Sequence, residues 1–195
     1  MSHIGIFLDR DGTINEEVDY LSSPLDLRLI PGSADAIHEA NEAGYKVVII
    51  TNQSGIARGI LTEDQLAEIH TALLSTLLEH DARVDAILYC PHHPDFGVPP
   101  YRTSCNCRKP NTGMIDSAAK TLSIDVKKSF VIGDRMIDVQ TGNNSGATSV
   151  LVLTGYGKQE LKLCRENEVP IGHVADNLHD AVQFIKQTIN QEQSY

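Results

Sequence analysis

Five times along this chain a short apolar run breaks off into small and polar residues, and a helical pattern comes next. The runs are residues 4–8 (Ile4, Ile6, Phe7, Leu8), 47–50 (Val47, Val48, Ile49, Ile50), 85–89, 129–132 and 148–153. Runs that are apolar at consecutive positions, rather than alternating, are what strands buried on both faces require. Helical spacing of apolar residues marks 33–43, 62–80, 113–122, 136–145, 159–166 and 178–189, with Thr62 placed to cap the second. Strands alternating with helices predict an α/β fold built on a doubly wound parallel sheet. With 195 residues and no internal repeat or composition break, a single domain over 1–195 is expected, its tail 191–195 fraying.

In such sheets ligands bind beyond the carboxyl ends of the strands. The residues just past each run are therefore the informative ones. The first run ends in Asp9-Arg10-Asp11-Gly12-Thr13, the second in Thr51-Asn52-Gln53-Ser54-Gly55, the third in a Cys-, His- and Pro-rich loop, the fourth in Gly133-Asp134-Arg135. If the chain is still extended at Asp9 and Asp11, period-two geometry puts both carboxylates on one side of the backbone. Crowded carboxylates repel unless a cation or a shared proton neutralises them, and magnesium is suited to that. Taken alone, the pentapeptide reads most simply as an Asp/Gly turn closing a strand. Four polar constellations converging on one sheet edge turn the reading towards a metal-assisted phosphate site with Asp9 as nucleophile.

The formal net charge is −10, which disfavours nucleic acid and anionic membranes as partners. No apolar run approaches the ~20 residues of a membrane span, and the amino terminus lacks the regions of a signal peptide. A cytoplasmic protein is expected, and a monomer, because no apolar surface stripe is visible. Its four cysteines are then not structural disulfides. Cys90, Cys105 and Cys107 fall within 18 residues, beside His92 and His93. Three thiolates and an imidazole complete a tetrahedral zinc set with no open position, so a structural zinc loop at 90–107 is expected. The one-residue gaps are tighter than usual finger spacing, and spacing leaves His92 and His93 as alternative ligands.

Asp9-Arg10-Asp11-Gly12-Thr13, Thr51-Asn52, Lys109 and Gly133-Asp134, in that order, resemble the haloacid-dehalogenase superfamily of aspartyl phosphotransferases over essentially the whole chain. The resemblance implies magnesium as cofactor, held by the carboxylates of Asp9 and Asp134 and by the main-chain carbonyl of Asp11. It implies Asp11 as the acid that protonates the departing alkoxide and then the base that activates water. Thr51, Asn52 and Lys109 would hold the transferring oxygens, and Asp138 would support the metal from outside its ligand shell. Segments 15–30 and 90–107 are too short for a large cap domain, which favours an open site and a small phosphate ester.

A loop of the form Cys-Xaa-His … Cys-Xaa-Cys before Arg108-Lys109-Pro110 resembles one branch of this superfamily, the heptose bisphosphate and histidinol-phosphate phosphatases. That resemblance points to His92 as the fourth zinc ligand. It implies that Glu17, Val18, Asp19 and Tyr20 line the substrate together with Asn52, Gln53 and Ser54, and that Arg108 contacts a sugar bisphosphate. Arg10 and Arg135 join this basic set, Arg135 standing where heptose enzymes often carry Lys. The implied activity is release of the C7 phosphate of a heptose 1,7-bisphosphate, supplying heptose for cell-surface polysaccharide. The enzymatic rival is histidinol-phosphate phosphatase. A phosphoacceptor or binding module is the rival from another class, and it would have no use for the acid Asp11.

Overall fold

The computed structural model describes residues 2–192. Strands β1 (Gly5–Leu8), β2 (Lys46–Asn52), β3 (Ala86–Cys90), β4 (Phe130–Gly133), β5 (Thr148–Val152) and β6 (His173–Ala175) form one sheet in the order β3-β2-β1-β4-β5-β6. Every pairing is parallel. Helices α1 (Ser33–Glu42), α2 (Glu63–Leu78), α3 (Gly113–Leu122), α4 (Met136–Ser145), α5 (Gly157–Glu166) and α6 (Leu178–Glu192) alternate with the strands.

Successive strand residues point to opposite faces, and both faces are covered. Ile6, Leu8, Val47, Ile49, Ile132 and Val150 pack with α1, α6 and the end of α2. Phe7, Val48, Ile50 and Val131 pack under Met114, Ile115 and Ala118 of α3. Val139 of α4, Leu151 and Cys164 of α5 form a further cluster on β5. Each fully buried side chain of this kind stabilises the fold by about 1.5–3 kcal/mol, which is why the runs are apolar throughout. Cys164 is a small buried hydrophobe here, 0 % exposed.

The chain leaves β1 for β2 and β3 on one side, then returns to the other side for β4, β5 and β6. The order reverses between β1 and β4, and loops leaving their carboxyl ends diverge there and open a crevice. No inserted domain covers it among the described residues. The segment from β1 to α1 holds only a one-turn 3-10 helix, Pro24–Asp26.

The expected helices at 113–122 and 136–145 match α3 and α4 residue for residue. Thr62 caps α2 with a full capping box, its side chain accepting from Gln65 N while the Gln65 side chain accepts from Thr62 N. Three strands run one or two residues beyond their last apolar position, to Asn52, Cys90 and Gly133. Ladder bonds do not depend on side-chain polarity, and Asn52 still pairs with Cys90. The sixth strand was not expected, because three residues are too few to show a pattern. Helix α6 continues through Glu192 rather than ending at 189, so the first residues of the expected tail are helical; 193–195 lie outside the described residues. Among the described residues no helix is long and apolar enough to cross a membrane.

Candidate active site

Asp9 comes directly after β1 and Asp134 directly after β4, neighbouring strands at the point where the order reverses. Asp138 lies one turn into α4 and is 1 % exposed. One oxygen from each of Asp9, Asp134 and Asp138 lies within 4.8 Å of the others. Two glycines allow that approach. A Cβ on Gly12 (φ +77°) or on Gly155 (φ +51°) would come within 2.3 Å of Asp134 Oδ2, inside van der Waals contact.

Lys109 provides one counter-charge for the three carboxylates. It is 2 % exposed, and its Nζ stands 2.9 Å from Asp9 Oδ1 and 2.5 Å from Asp138 Oδ1. Burial alone would lower the Lys109 pKa, but Asp138 and Asp9 hold it above its ordinary value. One ammonium cannot balance three carboxylates. Burial, then Asp9 and Asp138, push Asp134 up to about 8. Burial also raises Asp138, to about 6, with Asp9 adding to the rise against the pull of Lys109. Asp134 Oδ2 accepts from Tyr156 N at 2.8 Å, while Oδ1 is buried without a partner. An all-oxygen set with a deficit of positive charge and an orphaned carboxylate oxygen fits a hard divalent cation such as magnesium.

Asp11 turns a different way. Arg10 Nε and Nη2 reach its two oxygens at 3.1 and 2.8 Å, Asn15 Nδ2 donates at 2.9 Å and Gln53 Nε2 at 3.1 Å. Burial raises the Asp11 pKa, but the Arg10 charge and these donors outweigh it and the net shift is downward. Its carboxylate is outside the three-oxygen cluster, so of the expected magnesium-binding carboxylates Asp9 and Asp134 come together, and Asp138 joins them.

These groups open into a cavity of about 290 Å³ lined by Asp9, Asp11, Thr51, Lys109 and the expected wall residues Glu17, Asp19, Tyr20, Asn52, Gln53, Ser54, Arg108 and Arg135. Two expected wall residues are elsewhere. Arg10 is 1 % exposed and engaged with Asp11, because a buried guanidinium needs a carboxylate partner. Val18 is outside the lining and faces solvent, 40 % exposed.

Asn52 also differs from expectation. Its Oδ1 accepts from Lys109 N at 3.0 Å and its Nδ2 donates to Lys109 O at 3.2 Å. The carboxamide therefore braces the Lys109 backbone rather than standing free for a substrate oxygen. Gln53 Nε2 is shared between Asp11 and Thr51 Oγ1, 2.9 Å away. Arg135 stacks 4.2 Å over the Tyr156 ring and pairs with Glu17 at 3.3 Å. Arg58 lies 3.6 Å over the Phe96 ring and is not part of the cavity lining.

Sequence reasoning passed over Thr154, Gly155 and Tyr156. Thr154 Oγ1 donates to Gly12 O at 2.6 Å, and the Tyr156 amide caps Asp134. Their signal was the rule applied to the other strands, small and polar residues just past a buried run, here the fifth.

A second cluster stands beside the cavity. Cys90 Sγ is 3.5 Å from Cys105 Sγ and 3.7 Å from His92 Nδ1; Cys107 Sγ is 3.2 Å from Cys105 Sγ and 3.5 Å from His92 Nδ1. These separations are far longer than a disulfide bond of about 2.05 Å. The sulfur–sulfur separations approach the edge of about 3.8 Å expected for a tetrahedron with metal–sulfur bonds of about 2.3 Å. A closed set of three sulfurs and one nitrogen fits a structural metal ion. His93 is turned away, its ring 4.6 Å from that of Phe96 and its Nδ1 accepting from Asp95 N. Arg108 Nη1 donates to the carbonyl of His92 at 3.0 Å, which links this cluster to the cavity wall.

Comparison with known proteins places the chain in a family. A family model described as "HAD-hyrolase-like" matches residues 106–181. A D-glycero-D-manno-heptose-1,7-bisphosphate 7-phosphatase of Chlorobaculum tepidum is 40 % identical over 183 residues, covering 91 % of each chain. The D-glycero-beta-D-manno-heptose-1,7-bisphosphate 7-phosphatase of Escherichia coli K12 is 40 % identical, covering 93 % of each. A D,D-heptose 1,7-bisphosphate phosphatase from B. bronchiseptica, solved with magnesium and phosphate, superposes with a TM-score of 0.84 at 34 % identity. That match covers 95 % of this chain and 99 % of the other. This chain belongs to the heptose bisphosphate phosphatases, phosphoric monoester hydrolases within the haloacid-dehalogenase superfamily.

Proposed function

We propose that this chain hydrolyses the C7 phosphate of D-glycero-D-manno-heptose 1,7-bisphosphate through an aspartyl-phosphate on Asp9. The observation that carries the chemistry is the juxtaposition of Asp9, Lys109, Asp134 and Asp138, with Asp9 and Lys109 lining a cavity that Arg108 and Arg135 also line. Family membership supports the substrate.

Asp9, Asp134 and Asp138 would hold magnesium, and the family resemblance adds the Asp11 carbonyl to the set. Magnesium, when bound, neutralises carboxylate and phosphoryl charge that one lysine cannot. Lys109 holds Asp9 in place and faces the oxygens that gather charge as phosphorus is transferred. Thr51, fixed by Gln53, offers its hydroxyl to the same oxygens. Asp9 attacks phosphorus, the ester oxygen leaves, and Asp11 gives it a proton. Asp11 then takes a proton from the water that cleaves the aspartyl-phosphate. The donors around Asp11 favour its carboxylate form, which suits the second step. An incoming dianionic phosphoryl group beside it raises its affinity for a proton, which suits the first.

Arg108, Arg135, Glu17, Asp19, Tyr20 and Ser54 would face the sugar and its second phosphate. Zinc on Cys90, His92, Cys105 and Cys107 would stiffen the wall through the His92–Arg108 bond. The whole chain acts as one domain, as a cytoplasmic monomer, and the product, heptose 1-phosphate, goes on to supply heptose for cell-surface polysaccharide. The test is phosphate release from heptose 1,7-bisphosphate anomers, histidinol phosphate and fructose 1,6-bisphosphate. The heptose bisphosphate should be turned over with the highest kcat/KM; preference for histidinol phosphate would overturn the substrate and keep the mechanism.

A further inference from the structure

Arg10 is among the largest fully buried side chains of the protein, at 1 % exposure, and it is absent from the cavity wall. A buried cation is costly unless paired. Arg10 has one carboxylate partner among the described residues, Asp11, and grips it with two prongs, Nε on Oδ1 at 3.1 Å and Nη2 on Oδ2 at 2.8 Å. Such a fork fixes the plane of a carboxylate as well as its place. Asn15 on Oδ1 and Gln53 on Oδ2 approach the same two oxygens, so each is held from two sides. The Arg10 carbonyl also anchors the turn that carries Asp11 away from β1, accepting from Ile14 N at 2.9 Å and Asn15 N at 3.2 Å.

We propose that Arg10 is a positioning residue for the acid/base group, aiming the Asp11 carboxyl at the ester oxygen and later at the attacking water without touching substrate. The proposal rests on Asp11 being the acid/base. In the first transfer the bond from the Asp9 oxygen to phosphorus forms as the phosphorus–ester oxygen bond breaks, and the Asp11 proton moves to that ester oxygen. A sugar alkoxide needs the proton; a nitrophenolate leaves without it. In that first transfer, which kcat/KM reports, the benefit of aiming Asp11 is therefore confined to substrates with poor leaving groups; the later water step is common to all substrates and enters kcat alone.

The experiment compares Arg10→Lys with wild type on heptose 1,7-bisphosphate and on p-nitrophenyl phosphate, with Asp11→Asn as control. Lysine keeps the buried charge but cannot grip both oxygens. Arg10→Lys should lose about 10- to 100-fold in kcat/KM on the sugar substrate, the scale of a misplaced catalytic group. Its kcat/KM on the nitrophenyl ester should stay within about threefold of wild type, even where kcat falls because the water step is slower, and thermal melting should report an intact fold. Equal losses on both substrates would reduce Arg10 to a structural ion pair. Wild-type rates on both would show that its charge, and not its fork, matters. Either result overturns the proposal. If Asp11→Asn itself lacks the leaving-group dependence, the acid/base assignment fails first. If Asp11→Asn has it and Arg10→Lys does not, only the positioning role fails.

Discussion

Lys109→Met removes the sole side-chain cation that touches Asp9 and Asp138 among the described residues. The lysine is 2 % exposed and Asp138 1 %, so water cannot replace it without opening the fold. Removing one partner of a buried ion pair costs about 3–5 kcal/mol, because the other charge stays behind unpaired. Two carboxylates are left behind here, which argues for the upper end. Asp138, raised to about 6 even with Lys109 beside it, is pushed higher once that lowering charge is gone and relieves part of the cost by taking a proton, most fully near pH 6 and less as pH climbs, which argues for the lower end near pH 6. A loss of about 3 kcal/mol near pH 6, growing towards about 5 kcal/mol by pH 8, is therefore expected. Urea unfolding in metal-free buffer at the two pH values measures it. Excess magnesium should return part of the loss by binding the folded state alone. Phosphate release should fall by about 100- to 1000-fold in kcat, the scale of one lost donor to a charged transition state. A stability change under about 1 kcal/mol at pH 8 would refute the idea that Lys109 is the cation holding this carboxylate cluster together.

Three other features can each be tested separately. His70 is half-buried with its Nε2 shut away from solvent and unpartnered, and burial together with the Arg10 charge lowers its pKa from 6.5 to about 4. Its depressed pKa makes the folded state bind fewer protons than the unfolded one, so stability is intact above about pH 6.5 and drains away towards pH 4. At about 1.4 kcal/mol per unit the loss is on the order of 3 kcal/mol, and His70→Leu should flatten the acid limb of a denaturation series by that amount; an unchanged slope contradicts it. Cys105→Ser should cut zinc from about one per chain, lower Tm, and raise KM for a bisphosphate more than it lowers kcat, because Arg108 leans on the His92 carbonyl. Full zinc content by mass spectrometry in that variant would count against the ligand set. Asn52→Leu should lower kcat by about 10-fold or more through a displaced Lys109; steady-state rates equal to wild type would make the brace dispensable.

Much of the architecture was legible because a strand buried on both faces has few alternatives to a continuous apolar run. The same logic located Asp9, Thr51 and Asp134, each at the point where such a run gives way to polar residues. What stayed hidden depended on which way a side chain turns. Nothing in Asp9-Arg10-Asp11 says that the arginine folds inward onto its neighbour instead of outward to a phosphate. Nor does Thr51-Asn52 say that the carboxamide reaches the backbone of Lys109, 57 positions later. Those are facts of packing between segments far apart in sequence. The role of Thr154–Tyr156 was hidden differently. Its contribution is a hydroxyl, a missing Cβ and a backbone amide, and only the hydroxyl leaves a chemical trace in sequence. Spacing left two histidines open for the cysteine cluster, and the geometry brings His92 Nδ1, not His93, to the sulfurs.

In the proposed mechanism Asp9 becomes covalently phosphorylated during turnover. The most direct test is steady-state phosphate release by Asp9→Asn beside wild type, with magnesium saturating and the fold checked by thermal melting. Turnover should fall by about 10⁴-fold or more with the protein still folded, since an amide cannot replace the nucleophile. Turnover within about tenfold of wild type would contradict the nucleophile assignment and the mechanism built on it.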